Sequence, residues 1–190
     1  SEKTYFIMKI GSVSENKNIE KRISITPEIA KKYINLGFEI QLTENYGKHL
    51  GFEDKEYGEL GVKFINDDKK IIENADIIIQ MNLLDESKTS LLKSNQIFIG
   101  VLNAYENKNK LEELAKKKIN LFSLDLLPRI TRAQSMDILS SQANLAGYKA
   151  VIESFSTFEK AIPMMMTAAG TIPAAKVLVV GAGVAGLQAI

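Results

Sequence analysis

The sequence predicts an α/β chain: an open, doubly wound parallel sheet followed by the truncated start of a Rossmann domain. Three observations predict it. Short apolar runs alternate with helix-like stretches from residue 4 to 124, the pattern of parallel strands covered by helices on both faces. The texture changes near 126–136, where a polar loop leads into a long helix with a broad apolar face. Near the end, the turn Gly181-Ala182-Gly183-Val184-Ala185-Gly186 follows the apolar run Lys176–Val180. That strand–turn–helix context is the one in which G-x-G-x-x-G signals a dinucleotide site.

The elements follow in order. Residues 4–10 read as a short strand. Thr26-Pro27-Glu28 starts a helix: Thr caps, Pro suits the first helical position, and Glu meets the positive end of the dipole. Ile29, Ala30, Tyr33 and Ile34 share one face and Gly37 ends the helix. Strands are expected at 38–43, 75–80, 96–101 and 120–124, and helices at 67–74, 86–93 and 108–118. The loop Leu127–Gln134 runs into a helix over 135–160, ended by Pro163. Ile138, Leu145, Tyr148, Ile152 and Phe155 form one stripe of that helix, and Leu139, Ala143, Ala146 and Ala150 its neighbour. Such a face suits a helix packed between two domains. The expected division is therefore an N-terminal α/β domain over 1–125, a loop and interdomain helix over 126–160, and the start of a Rossmann domain over 161–190. The last residues, Gln188-Ala189-Ile190, fall inside a helix pattern, so a fragment boundary is expected there. Ser1–Ile7 reads as an extension ahead of Met8.

Composition narrows the function classes. Twenty-four basic and 23 acidic residues leave a formal charge of +1. That balance argues against a nucleic-acid binder or a polybasic membrane patch. There is no cysteine and a single histidine, His49, which excludes thiol chemistry and leaves little for a zinc site or a His-dependent triad. No apolar run approaches the roughly 18 residues of a membrane span. The first residues lack a signal-peptide plan, so a cytoplasmic setting is expected.

The glycine motif carries chemistry for a physical reason. Gly181 permits the tight turn, Gly183 lets a pyrophosphate approach the backbone, and Gly186 lets helix and strand pack closely. Val184 opens the helix whose free N–H groups face the phosphates. The competing reading is a tight turn in a sheet protein that binds no nucleotide. The acidic residue that separates NAD from NADP would lie about 20 residues beyond the first glycines, past residue 190.

In the polar loop, Arg129, Gln134, Asp137 and Ser140 offer donors and acceptors for a carboxamide and ribose hydroxyls. Each also has a purely structural role open to it. Thr131-Arg132-Ala133-Gln134 fits a capping box, Asp137 can serve a helix dipole, and Arg129, Arg132 and Ser140 can be solvated.

The stretch PRITRAQSMDILSSQANLAGYKAV over 128–151 resembles the loop-plus-helix signature of the NAD(H)-binding alpha component of proton-translocating NAD(P) transhydrogenase, in the alanine dehydrogenase/transhydrogenase superfamily. The stretch PMMMTAAGTIPAAKVLVVGAGVAGLQAI over 163–190 resembles the same component's entry into its Rossmann domain. RISITPE at 22–28 resembles the family more loosely. The resemblance implies that Arg129, Gln134, Asp137 and Ser140 contact the nicotinamide and its ribose, with Ile130, Thr131 and Arg132 beside them. It implies NAD(H) on this component and NADP(H) on a partner component, with direct hydride transfer between them. It further implies a Re/Si-specific enzyme, a homodimer, and a membrane proton-channel partner. The chain itself would then be cytoplasmic and peripheral to the inner membrane through those partners. No side chain here is needed as an acid or base, and the 190 residues alone are expected to be inactive.

Two alternatives stay open: a non-catalytic NAD-binding module, and an alanine-dehydrogenase-like oxidoreductase. Alanine dehydrogenase uses a Lys and a His from its first domain. The corresponding strand ends here read Ile77-Ile78-Ile79-Gln80-Met81-Asn82 and Gly100-Val101-Leu102-Asn103. Without a proton acceptor, imine chemistry is disfavoured. Arg22 remains, and it equally suits an anchor for the first helix's loop.

Overall fold

The structure, a computed structural model, describes residues 6–190. The chain divides into two compact units, Ser1–Leu126 and Leu127–Ile190.

The first unit is a six-stranded parallel sheet. Its strands are β1 (Lys9–Ser12), β2 (Glu39–Thr43), β3 (Lys63–Ile65), β4 (Ile77–Asn82), β5 (Ile97–Val101) and β6 (Asn120–Ser123), in the spatial order β3-β2-β1-β4-β5-β6. The helices α1 (Pro27–Asn35), α2 (Asp54–Glu59), α3 (Asp68–Asn74), α4 (Glu86–Thr89) and α5 (Lys108–Lys116) connect them. Alternation along β4 sends Ile78 to one face and Ile77 and Ile79 to the other. Ile78 joins Phe98, with Ile71 and Ile72 of α3 and Leu114 of α5. Ile77 and Ile79 join Ile10, Ile40 and Leu42, with Ala30 of α1 and Tyr57 of α2. Each fully buried isoleucine contributes about 1.5–3 kcal/mol, so these two layers fix the sheet's register: Ile10 stands beside Ile40 on one side and Ile77 on the other.

Local signals explain the starts. Thr26 caps α1 by accepting from the Ile29 N–H at 3.4 Å. Asp85 caps α4, accepting from the Lys88 N–H at 3.0 Å. The strand expected at 4–10 is found at Lys9–Ser12, and residues 4 and 5 lie outside the described residues. α4 ends at Thr89 rather than Lys93, because the chain turns to place Lys93 N–H on the Gln96 side chain at 2.6 Å. α2 and β3 go beyond the elements expected from the sequence. At the start of α2 the Glu56 side chain accepts from the Glu53 N–H at 3.3 Å.

The second unit holds a 3-10 turn (Thr131–Met136), the long helix α6 (Ile138–Thr157), a hairpin of β7 (Met165–Thr167) and β8 (Gly170–Ile172), and α7 (Val184–Ala189). α6 is shorter at both ends than the expected 135–160. Asp137 breaks the helical path with ψ 86° and caps α6, and Phe158 turns extended at its end. The expected strand 176–180 joins neither sheet. A strand is defined by its hydrogen-bonded neighbour, and Val177, Leu178 and Val180 are exposed with no such neighbour among the described residues.

Candidate functional site

The site grows from two local devices within the second unit. The first is the polar loop. Ile130 is extended ahead of the 3-10 turn, and the Ala133 N–H closes that turn on the Ile130 carbonyl at 2.9 Å. Thr131 makes no side-chain cap there, so the capping box expected with Gln134 is not formed. The turn ends at Asp137, whose carboxylate accepts from the Ser140 N–H at 3.0 Å and from the Ser140 hydroxyl at 2.7 Å. The Ser140 hydroxyl holds the Asp137 carboxyl below the usual carboxylate range, with the Arg129 charge adding to the effect. Pro128, Arg129, Ile130, Thr131, Ala133, Gln134 and Asp137 line a cleft of about 300 Å³.

The second device is the glycine turn. Gly181 has φ +105°, a conformation that L side chains rarely adopt. A Cβ on Gly186 would overlap the Gly181 carbonyl oxygen. A Cβ on Gly183 would meet nothing within 4 Å, so the backbone there faces open space. The three glycines therefore answer three demands: a left-handed turn, close packing, and free approach to the main chain.

The fold brings the two devices together. Arg129 and Ser140 share one cleft of about 390 Å³ with Gly181, Gly183, Val184 and Gly186; Leu139 and Ala143 of α6 form its wall. Arg129 borders both clefts. Of the sequence-selected residues, Arg132 alone lines neither; it is exposed. Leu139 and Ala143, which the sequence marks only as members of an apolar stripe, join the site through this cleft.

Two family models match this chain: the alanine dehydrogenase/PNT N-terminal domain over residues 11–146, and the alanine dehydrogenase/PNT C-terminal domain over residues 150–190. The chain belongs to the alanine dehydrogenase/PNT family. It is 44% identical over 187 residues to the first part of NAD(P) transhydrogenase subunit alpha from Rickettsia prowazekii, covering 96% of this chain and 49% of that protein. The protein of the same name from Rhodospirillum rubrum is 43% identical with the same coverage. A transhydrogenase structure from Sinorhizobium meliloti superposes with a TM-score of 0.89 at 40% identity, covering 95% of this chain and 54% of that one. An L-alanine dehydrogenase structure shares the fold, with a TM-score of 0.80 at 19% identity. The chain spans about half the length of the first two relatives.

A second polar cluster, with no counterpart among the sequence-selected sites, lies in the first unit where β1 and β4 part. Such switch points are where open α/β sheets usually bind ligands. Here the chain's own side chains fill it. Gln80 accepts from the Val13 N–H at 2.8 Å and the Ser12 hydroxyl at 3.0 Å, and donates to Glu15 at 3.1 Å. Glu15 accepts from the Met81 N–H at 2.6 Å. Glu20 takes Arg22 through two of its nitrogens, at 2.8 and 2.7 Å, and accepts from Asn82 at 3.3 Å. Burial raises the Glu15 carboxyl, whereas the Arg22 hydrogen bonds lower Glu20 to about 2. Arg22 is thus an anchor of this network. The one histidine, His49, is exposed and bonds the Lys21 carbonyl at 2.7 Å. Among the described residues there is no cluster able to hold a metal, and no helix is long and apolar enough to cross a membrane.

Proposed function

We propose that this chain is the NAD(H)-binding part of a proton-translocating NAD(P)+ transhydrogenase. One observation carries the proposal: Arg129 and Ser140 line the same cleft as Gly181, Gly183 and Gly186. A dinucleotide has a reactive end and a phosphate end, and the cleft offers a set of groups suited to each.

The chain's residues bind and orient. Gly181, Gly183, Val184 and Gly186 present main-chain N–H groups to the pyrophosphate. Arg129, Gln134, Asp137 and Ser140 hold the carboxamide and ribose, with Ile130, Thr131 and Arg132 flanking them. When bound, NADH would supply the hydride for NADP+ on a partner component. No side chain acts as acid or base; positioning carries most of the rate. In this reading 126–160 is the nicotinamide segment and 161–190 opens the Rossmann domain. The protein works as a homodimer with NADP(H)-binding and membrane proton-channel components, at the cytoplasmic side of the inner membrane.

Fluorescence titration of the full-length protein with NADH tests the binding, and its crystal structure with NADH tests the placement. Saturable binding with the nicotinamide against Arg129 and Asp137 is expected. A nicotinamide lying far from both residues overturns the proposal. Alanine with NAD+ should yield no NADH.

A further inference from the structure

Gly147 is the one buried residue of α6. A Cβ there would overlap the carbonyl oxygen of Ala185 and stand 2.9 Å from its carbonyl carbon. Those are backbone atoms of α7, so no side-chain rotation would relieve the overlap. The next residue of α7, Gly186, meets the Gly181 carbonyl on the same terms. The first turn of α7 is therefore clamped between α6 and the glycine turn.

Position along α6 gives the clamp its consequence. Ser140, Ala143 and Gly147 recur at helical spacing on one face. Ser140 and Ala143 line the cleft with the glycine turn. Beyond Gly147, Ala150, Val151 and Ser154 line a separate apolar groove against Val177–Val180. Gly147 is thus the crossing point, with the cleft on one side of it.

We infer that Gly147 is a positioning residue for dinucleotide binding: its missing side chain sets the distance between the Arg129–Ser140 end and the Gly181–Gly186 end of the cleft. This rests on the function proposed above. A ligand that bridges both ends depends on that distance, and one that occupies only the phosphate end does not.

The test compares NADH with ADP in the full-length protein. Gly147→Ala should weaken NADH at least tenfold more than it weakens ADP. A general folding defect would weaken both alike. Ala150→Val adds bulk on the far side of the crossing, away from the cleft, and should show the same selective loss at about threefold; it serves if Gly147→Ala does not fold. Equal losses for both ligands, or unchanged NADH affinity in a folded variant, overturn the inference. Failure of the wild-type protein to bind NADH would instead overturn the function on which it rests.

Discussion

Asp137 gives both carboxylate oxygens to Ser140, one to its N–H and one to its hydroxyl. The same two residues begin α6 and are proposed to meet the nicotinamide ribose. Capping and binding are separable by substitution. Asn caps about as well as Asp, whereas Ala loses about 1 kcal/mol. Asp137→Asn should leave urea-unfolding stability within a few tenths of a kcal/mol and weaken NADH binding. Asp137→Ala should lower both. Full NADH affinity in Asp137→Asn would reduce Asp137 to a cap.

Gln134 makes no side-chain cap in the 3-10 turn and lines the cleft beside Asp137. Gln134→Asn shortens the side chain by one carbon and keeps its amide. In the complete enzyme it should slow hydride transfer more than it weakens NADH binding. Stopped-flow kinetics and titration separate the two, and equal losses would contradict a positioning role.

The glycine turn predicts two different costs. Gly181→Ala forces a side chain into φ +105°, at about 1–3 kcal/mol of backbone strain. Gly186→Ala drives a methyl into the Gly181 carbonyl, which must shift the helix. Both should lower the melting temperature and NADH affinity. Gly183→Ala meets nothing in the chain, so its melting temperature should hold while NADH affinity falls. An unchanged affinity would show that no ligand approaches there.

The switch-point network predicts an inflected pH profile for stability. Glu15 is raised by burial, so the folded state takes up its proton before the unfolded state does. Its contribution to stability grows as pH falls toward 4.5. Glu20 is lowered to about 2 by Arg22, so its contribution is present above 4.5 and lost as pH falls toward 2. Arg22 is about half exposed, which limits the Glu20 effect to about 1 kcal/mol or less. Urea midpoints from about pH 7 down to about pH 3 should rise slightly and then drop. Glu15→Gln should abolish the rise, and Glu20→Gln should lower the midpoint at neutral pH. A monotonic decline in the wild type would contradict the Glu15 assignment.

Legibility followed the range of the forces involved. Ile77–Ile79 and Ile97–Ile99 announce buried strands because sheet burial leaves a contiguous apolar run. Thr26 and Pro27 announce a helix start because a cap acts within one turn. α2 leaves little trace because its apolar side is short, with Tyr57 and Leu60 alone amid charges. Spacing and resemblance single out Arg129, Gln134, Asp137 and Ser140, yet spacing does not show that Asp137 also caps α6.

The residues by themselves determined the α/β class, the glycine turn and the polar loop, because each depends on neighbours a few positions away. Tertiary structure alone decided that Arg129 and Ser140 share a cleft with Gly181 and Gly183. It alone decided that Gly147 is the crossing of α6 and α7, and that Gln80, Glu15 and Glu20 fill the β1–β4 switch point. These are contacts between segments some 40 to 65 residues apart, and no local period records which distant backbone a side chain will meet.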